Sequence, residues 1–446
     1  MVKAIRRQFA RTGFVRLHAV SGRANVLIAG GGVVGASVAS ALARRGVDGV
    51  VVVDLDLAGV YASSELNAGG ARATWWQPVN VHACRRTLDF FREHADELGF
   101  RELGYLWLYD DPERFARALA RRALQNDAGL GVEALGPGEI PERCPLVDRG
   151  LDTLVGATFS PRDGLVNPNA VRAWYRHDAE RRGVVFLDRH YLAGLETALV
   201  SSDGGSRRRV RAVELAEVRS GDPSDAAGAL RRILTTHRVP AELVVDEARL
   251  ECGTFVNCLG AWSPLLSAKI GVRDVTEPVR RQISLVDVHR EDLAPGVEPA
   301  RLGMVVDASG LYVHPEGAFF LAGYSPPGDA PGYDFSYDGA EFFERELWPR
   351  LAARASSFER CGHVRGWAGL YAVTPDCSGI VGGVAGFTNL FEAHSFTGRG
   401  VMQSFTVGNE LAALIVDGRY GEVDLSPLSR ERFADPARWV VEDLHI

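Results

Sequence analysis

The sequence predicts an α/β fold in which a Rossmann-like dinucleotide-binding domain, assembled from separated stretches of chain, is joined to a second, β-sheet-rich domain. Three observations predict it. An apolar run, Val26-Leu27-Ile28-Ala29, passes into Gly30-Gly31-Gly32-Val33-Val34-Gly35, and a second run, Val50-Val51-Val52-Val53, ends on Asp54. Far along the chain another glycine-rich loop, Thr397-Gly398-Arg399-Gly400, opens a second helical stretch, Val401 to Val416. Between the two, Val275 to Phe320 reads as short strands with turns at Pro295-Gly296, Ser309-Gly310 and Glu316-Gly317.

Each part of the first motif has a physical task. Gly30 permits a tight turn off the strand, Gly32 has no Cβ to block a pyrophosphate, and Gly35 lets the helix Ala36 to Arg45 lie close on the sheet. The amides of Val33 and Val34 at that helix start are free to meet phosphate oxygens. Asp54 stands where a carboxylate accepts hydrogen bonds from adenosine ribose hydroxyls. A glycine turn in an ordinary βαβ unit is the alternative, and the order strand, glycines, helix, strand, acid argues against it. Beyond Asp54, the small polar stretch Ala62 to Arg72 reads as a loop that touches a ligand through Ser63, Ser64, Asn67, Ala68 and Gly69. A buried-type strand, Thr254 to Leu259, likewise ends on Gly260-Ala261-Trp262. The loop Thr397 to Gly400, with Val401 and Met402 behind it, offers a second cluster of amides for the pyrimidine side of a flavin or its phosphates. A nicotinamide needs no second contact so distant, so the pair of loops favours FAD.

Composition narrows the classes. The 446 residues are 46% hydrophobic and 24% charged, a globular composition long enough for two or three domains. A net charge of -7 argues against a nucleic-acid partner, and no apolar run is long enough to span a bilayer. The six cysteines are scattered without metal spacing, which predicts reduced thiols and no metal site. The first 23 residues carry Lys3, Arg6, Arg7, Arg11, Arg16 and Arg23 and no acid. Arg6-Arg7-Gln8-Phe9 is similar to a twin-arginine signal core, but Arg11, Arg16 and His18 interrupt the place of an apolar h-region. A basic arm on a cytoplasmic protein is the favoured reading, with export as the alternative.

The intervening elements are plainer. Helical spacing covers Val81 to Leu98, Pro112 to Asn126 and Asn169 to Arg182, the last followed by a strand Val184 to Leu187. Ser201 to Arg249 becomes charged and turn-rich, with a strand Val210 to Val218 and a short helix Ala226 to Thr236, and reads as a surface excursion. The predicted organisation is a basic arm 1–23, a dinucleotide domain from 24–85, 156–272 and 365–446, and a substrate domain from 86–155 and 273–364.

Taken with Asp163 to Pro168, Val256 to Ser263, Arg280-Arg281-Gln282, Gly310-Leu311-Tyr312 and Gly366 to Asp376, these stretches resemble the D-amino-acid oxidase superfamily of FAD-dependent amine oxidoreductases. The likeness runs from Asn25 to Phe433 and is nearest to sarcosine oxidase, dimethylglycine dehydrogenase and glycine oxidase. It implies FAD, a substrate domain over the flavin, and oxidation of a C–N bond of a small amino acid or N-alkyl amino acid to an imine, the hydride passing to flavin N5. It implies O2 or a redox partner as electron acceptor and leaves an oligomer open. Arg72 falls where relatives place an arginine that pairs with the substrate carboxylate, and Tyr312 where they place an active-site tyrosine. Tyr371 replaces a family arginine, Met402 a substrate-binding lysine, and Leu321 a lysine linked to oxygen reactivity. Arg399 stands where the family loop has histidine, and its candidate roles are charge near flavin N1, a substrate clamp, or a structural arginine bonding backbone carbonyls. Trp75 and Trp76 either wall the pocket or, the favoured reading, pack between domains. Asn67 and Gly369 occupy the positions of covalent flavin attachment in relatives, which implies dissociable FAD. Three rival readings are a 2-hydroxy-acid or polyol-phosphate dehydrogenase, with His314 or His394 as candidate base although each is more often a structural histidine, a flavin subunit of a larger electron-transferring complex, and, ranked last, a nicotinamide enzyme.

Overall fold

Alternation along the first strand decides how the dinucleotide unit is built. In the strand Arg23–Ala29, Val26 and Ile28 join one buried cluster while Leu27 and Ala29 join another, and Val50 and Val52 divide from Val51 and Val53 in the same way. Side chains on a pleated strand alternate between faces, so a continuously apolar strand must be covered on both. The computed structural model describes residues 22–202, 205–219, 226–326 and 328–443. The basic arm before residue 22 and parts of the two turn clusters near 203 and 222 lie outside the described residues.

The first sheet runs in the order Ile380–Gly383, Leu390–His394, Val244–Asn257, Arg23–Ala29, Val50–Val53, Val185–Leu187. The strands from Leu390–His394 to Val185–Leu187 are parallel, with Val26 opposite both Val50 and Thr254. The helix Val33–Arg44 packs on this sheet and is buried from Val33 to Ala43, because its Ala, Ser and Gly positions admit close neighbours. One neighbour is the helix Gly400–Asp417, where the Ser404 carbonyl accepts a hydrogen bond from Ser37 Oγ at 2.8 Å. The far end of the chain is thereby fixed beside the first glycine loop.

The described part of 201–249 joins the first sheet rather than standing apart as a surface excursion. Strand Gly205–Val218 pairs antiparallel with His190–Ser202 on one side and Val244–Asn257 on the other, extending the first sheet. The helix Ala226–Thr236 buries Leu230 and Ile233 against Val218 and Leu55, close to the end of the second strand. Its apolar face is what binds it there.

The second sheet runs Gly362–Val373, Glu277–Asp287, Phe319–Tyr324, Tyr312–Glu316, Met304–Val306, Tyr105–Tyr109, Gly156–Ser160, Glu133–Leu135. Residues 156–160 and 365–373, assigned to the dinucleotide domain from the sequence, pair in this sheet instead. One face, with Leu106, Val305, Val313 and Ala322, forms its own core. Tyr105, Ile283, Met304 and Tyr312 lie on the other face. Helices form at Pro78–Glu93, Pro112–Asp127 and Pro168–Arg181, each opened by a proline with its preset φ. No described helix is long and apolar enough to cross a membrane.

Candidate active site

The first glycine loop is built as its chemistry requires. Gly30 takes φ +100, and a Cβ there would meet the Cys258 carbonyl oxygen at 2.3 Å. A Cβ on Gly35 would lie 1.9 Å from the Gly30 carbonyl oxygen, so the loop folds back on the helix start. Gly32 differs, because a Cβ there meets only Ser64 Oγ at 3.6 Å and would project into an open cavity. The buried Ser64 hydroxyl has no hydrogen-bond partner among the described residues. An unfilled cradle and an orphaned hydroxyl side by side are what an absent oxyanion ligand leaves.

That cavity, of about 250 Å³, is lined by Gly30, Gly32, Val33, Val34, Asp54, Ser63, Ser64, Asn67, Gly260, Trp262, Thr397, Gly398, Gly400 and Val401. Gly35 and Gly69 line neither this cavity nor the smaller one beside it; Gly35 serves packing, and Gly69 N donates to Asn67 Oδ1 at 2.6 Å. Asp54 accepts hydrogen bonds from Gly31 N at 2.5 Å and Asp56 N at 2.7 Å, so it also braces the loop. Burial pushes its carboxyl up to about 6 against those two bonds. Ile233, Leu234 and His237 from the inserted helix region also wall the cavity, and Trp262 Nε1 donates to the Leu234 carbonyl at 3.0 Å.

A second cavity, of about 80 Å³, continues from the first and shares Ser63, Asn67, Leu370, Tyr371, Thr397 and Gly398 with it. Here the predicted Arg72, Tyr312, Arg399, Ala68 and Met402 meet Trp75, Tyr105, Arg281, Ile283 and Met304. The sheet supplies Arg281 and Ile283 two residues apart on one strand, and Met304 directly opposite Tyr105 on its neighbour. Glycines make the space. A Cβ on Gly70 would fall 2.0 Å from the Tyr105 hydroxyl, one on Gly323 2.3 Å from that of Tyr312, and one on Gly398 2.7 Å from the Tyr371 ring.

Charge is concentrated at this end. Arg72 and Arg399 are 2% and 1% exposed, and their guanidinium carbons lie 3.4 and 4.5 Å from the centre of the Trp75 ring. Arg72 Nη1 also donates to the Thr74 carbonyl at 3.0 Å. Burial lowers the Arg72 guanidinium to about 10 and pulls Arg399 down as well. Burial pushes the Tyr371 phenol up, while the charges of Arg281, Arg72 and Arg399 pull against it. No nitrogen of the Arg399 side chain has a hydrogen-bond partner among the described residues, so none of their backbone carbonyls holds it. A stacked indole returns about 2 kcal/mol to a desolvated cation, against several kcal/mol for its dehydration. The balance calls for an anion.

Two expectations change. Trp75 walls the cavity and carries two arginines rather than packing between domains, while Trp76 packs beside Arg117 and Arg121. The histidines offered as bases are occupied. His314 Nδ1 lies 2.9 Å from the Pro315 carbonyl and Nε2 2.8 Å from that of Ala68. His394 borders the large cavity, with Nδ1 on Ser395 Oγ at 2.6 Å and Nε2 on Glu392 at 3.1 Å. Neither lines the small cavity. Sequence reasoning also missed Glu442, whose carboxylate accepts from Trp76 N, Gln77 N and Asn80 Nδ2 and whose charge reaches Arg72 and Arg399. Only its distance along the chain hid it. Among the described residues no group of three or more His, Cys, Asp or Glu is placed to hold a metal ion.

A parallel sheet with a glycine loop at a helix start, opening onto a second sheet through continuous cavities, defines a dinucleotide-dependent enzyme. The family model described as FAD dependent oxidoreductase matches residues 25–414, and the chain belongs to this DAO family. It is an FAD-dependent oxidoreductase. The chain is 29% identical to FAD-dependent oxidoreductase domain-containing protein 1 of Xenopus laevis over 92% of its length and 83% of that protein's. It is 23% identical to mouse mitochondrial sarcosine dehydrogenase over 95% of its length, spanning 43% of that protein. The crystal structure of L-proline dehydrogenase from P. horikoshii superposes with a TM-score of 0.75 at 21% identity, covering 92% of this chain and 98% of that one. The cradle at Gly32, the orphaned Ser64 hydroxyl and the long cavity fit FAD.

Proposed function

We propose that the chain oxidises the C–N bond of a small amino acid or N-alkyl amino acid to an imine, which water then hydrolyses. The observation that carries this reading is the small cavity, whose wall has, among the described residues, three guanidinium groups and three phenols but no carboxylate or imidazole. Such a wall suits an anionic substrate whose reaction needs no side-chain base. FAD, when bound, supplies the two-electron acceptor, and the amine proton leaves to solvent.

The chain's own residues bind and orient. Arg72 holds the substrate carboxylate, since a guanidinium fork matches a carboxylate in two parallel hydrogen bonds. Tyr105, Tyr312 and Tyr371 line the pocket around it, with Ile283, Met304 and Met402 as apolar wall. The surrounding positive charge disfavours the ammonium form of the bound substrate, so the reactive neutral amine is reached at lower pH than in water. A 2-hydroxy acid would need a base for its hydroxyl proton, and among the described residues the wall supplies no carboxylate or imidazole for it. The names of two similar proteins, sarcosine dehydrogenase and L-proline dehydrogenase, support secondary amino acids as the class.

Among the described residues no Cys, His or Lys lines the small cavity, which supports FAD held without a covalent bond, so acid-precipitated protein should be colourless. Anaerobic mixing with a panel of primary, N-methyl and cyclic amino acids, and with their 2-hydroxy counterparts, tests the reaction. Flavin bleaching by amino acids and not by hydroxy acids is the expected result. Bleaching by hydroxy acids alone would overturn the proposal.

A further inference from the structure

Arg399 asks for more than a single carboxylate explains. Among the described residues its side chain is one of the largest that are fully buried, and Nε, Nη1 and Nη2 all lack hydrogen-bond partners there. It follows the loop that feeds the nucleotide cavity, yet it lines only the small cavity, whereas Gly400 and Val401 line only the large one. The guanidinium therefore faces the substrate side of the loop. Arg72 and Arg399 lie within 4.5 Å of the centre of one indole ring, which holds the two cations within the length of a small ligand. Arg281 adds a third cation at the same wall, and its Nε also has no partner among the described residues.

Among the described residues, the nearby acids have other partners. Glu442 acts on Arg72 and Arg399 through space, but its oxygens accept from Trp76 N, Gln77 N and Asn80 Nδ2. Asp163 accepts from Ala73 N and Thr74 Oγ1, and Asp329 pairs with Arg281 Nη1 at 3.3 Å. None of the three lines the cavity. One carboxylate on Arg72 leaves the Arg399 fork unmet. A buried cation without hydrogen bonds is retained where a ligand completes it.

We propose that the substrate is doubly acidic: a dicarboxylic amino acid or N-alkyl amino acid. Arg72 takes the carboxylate beside the reacting carbon, and Arg399, with Arg281 alongside, takes the second. This rests on the amino-acid reading above and narrows it to a substrate class.

Unreactive acids separate recognition from chemistry. Dissociation constants of succinate and glutarate are measured against propionate and butyrate by perturbation of the flavin absorption spectrum in the holoenzyme. The dicarboxylates are expected to bind at least about tenfold more tightly. Arg399→Gln removes that advantage and leaves monocarboxylate binding within about twofold, while Arg399→Lys, which keeps the charge and loses the fork, retains part of it. Equal affinity of mono- and dicarboxylates for the unmodified enzyme overturns the proposal, as does an advantage that survives in Arg399→Gln. If the glutamine variant does not fold, the comparison in the unmodified enzyme still decides. Failure of the amino-acid reading looks different: dicarboxylates bind tightly, and no amino acid bleaches the flavin.

Discussion

The two cavities meet at Tyr371, Thr397 and Gly398 but are made of different material. The larger is formed by backbone: a turn at φ +100, an open cradle at Gly32, and helix starts at Val33 and Gly400. The smaller is formed by long side chains, Arg72, Arg281, Arg399 and three tyrosines, delivered from strands and loops far apart in the chain. Backbone recognition suits the part of a ligand common to many enzymes. Side-chain recognition can be changed position by position, and there a family distinguishes one substrate from another.

The sharpest way to break this contrast is to fill the backbone cradle. Gly32→Val places methyl groups where only Ser64 Oγ stands nearby, so the fold should survive while FAD is lost almost completely. The ratio of flavin to protein absorbance, with a thermal melt of the apoprotein, checks both halves.

Acid should act on the same region, with a smaller effect. The Asp54 carboxyl stands at about 6 without ligand, and ribose hydroxyls that donate to it favour the ionised form. FAD affinity is therefore expected to be flat above about pH 6 and to fall by up to about tenfold per pH unit below it. A fluorescence titration across that range reads the slope. Affinity that rises on acidification would remove Asp54 from the ribose.

The smallest effect belongs where the cavities join. Tyr371→Phe removes one buried hydroxyl from the shared wall and should cost about 1 kcal/mol in substrate binding, roughly fivefold in KM, with FAD content unchanged. Loss of FAD in this variant would move Tyr371 to the nucleotide side.

The same division explains what the sequence made legible. The nucleotide half could be read because turn, cradle and helix start are local, and Gly30 to Gly35 with Asp54 lie in two short runs. The helix expected from Pro112 to Asn126 forms at Pro112–Asp127 for a similar reason, since proline and apolar spacing are local signals. Tyr105, Met304 and Ile283 could not be read as site residues. Each is an alternating position on an apolar strand, and only the pairing of those strands decides which face meets the cavity. The helix Ala226–Thr236 was visible from its amphipathic pattern, but its destination was not, because the sheet edge that carries it there is made by strands on both sides of it. Arg72 was found by resemblance; Arg399 was found too, but its lack of partners required coordinates.

The most direct test of the account is Arg72→Gln, assayed for FAD content and for anaerobic flavin reduction by the amino acid the enzyme prefers. Removing one partner of a buried charge pair costs about 2–4 kcal/mol, so kcat/KM for reduction should fall roughly 30- to 1000-fold while the flavin-to-protein ratio stays that of the unmodified enzyme. FAD content falling in step with activity, or reduction continuing at the original rate, would contradict the assignment of the small cavity to the substrate.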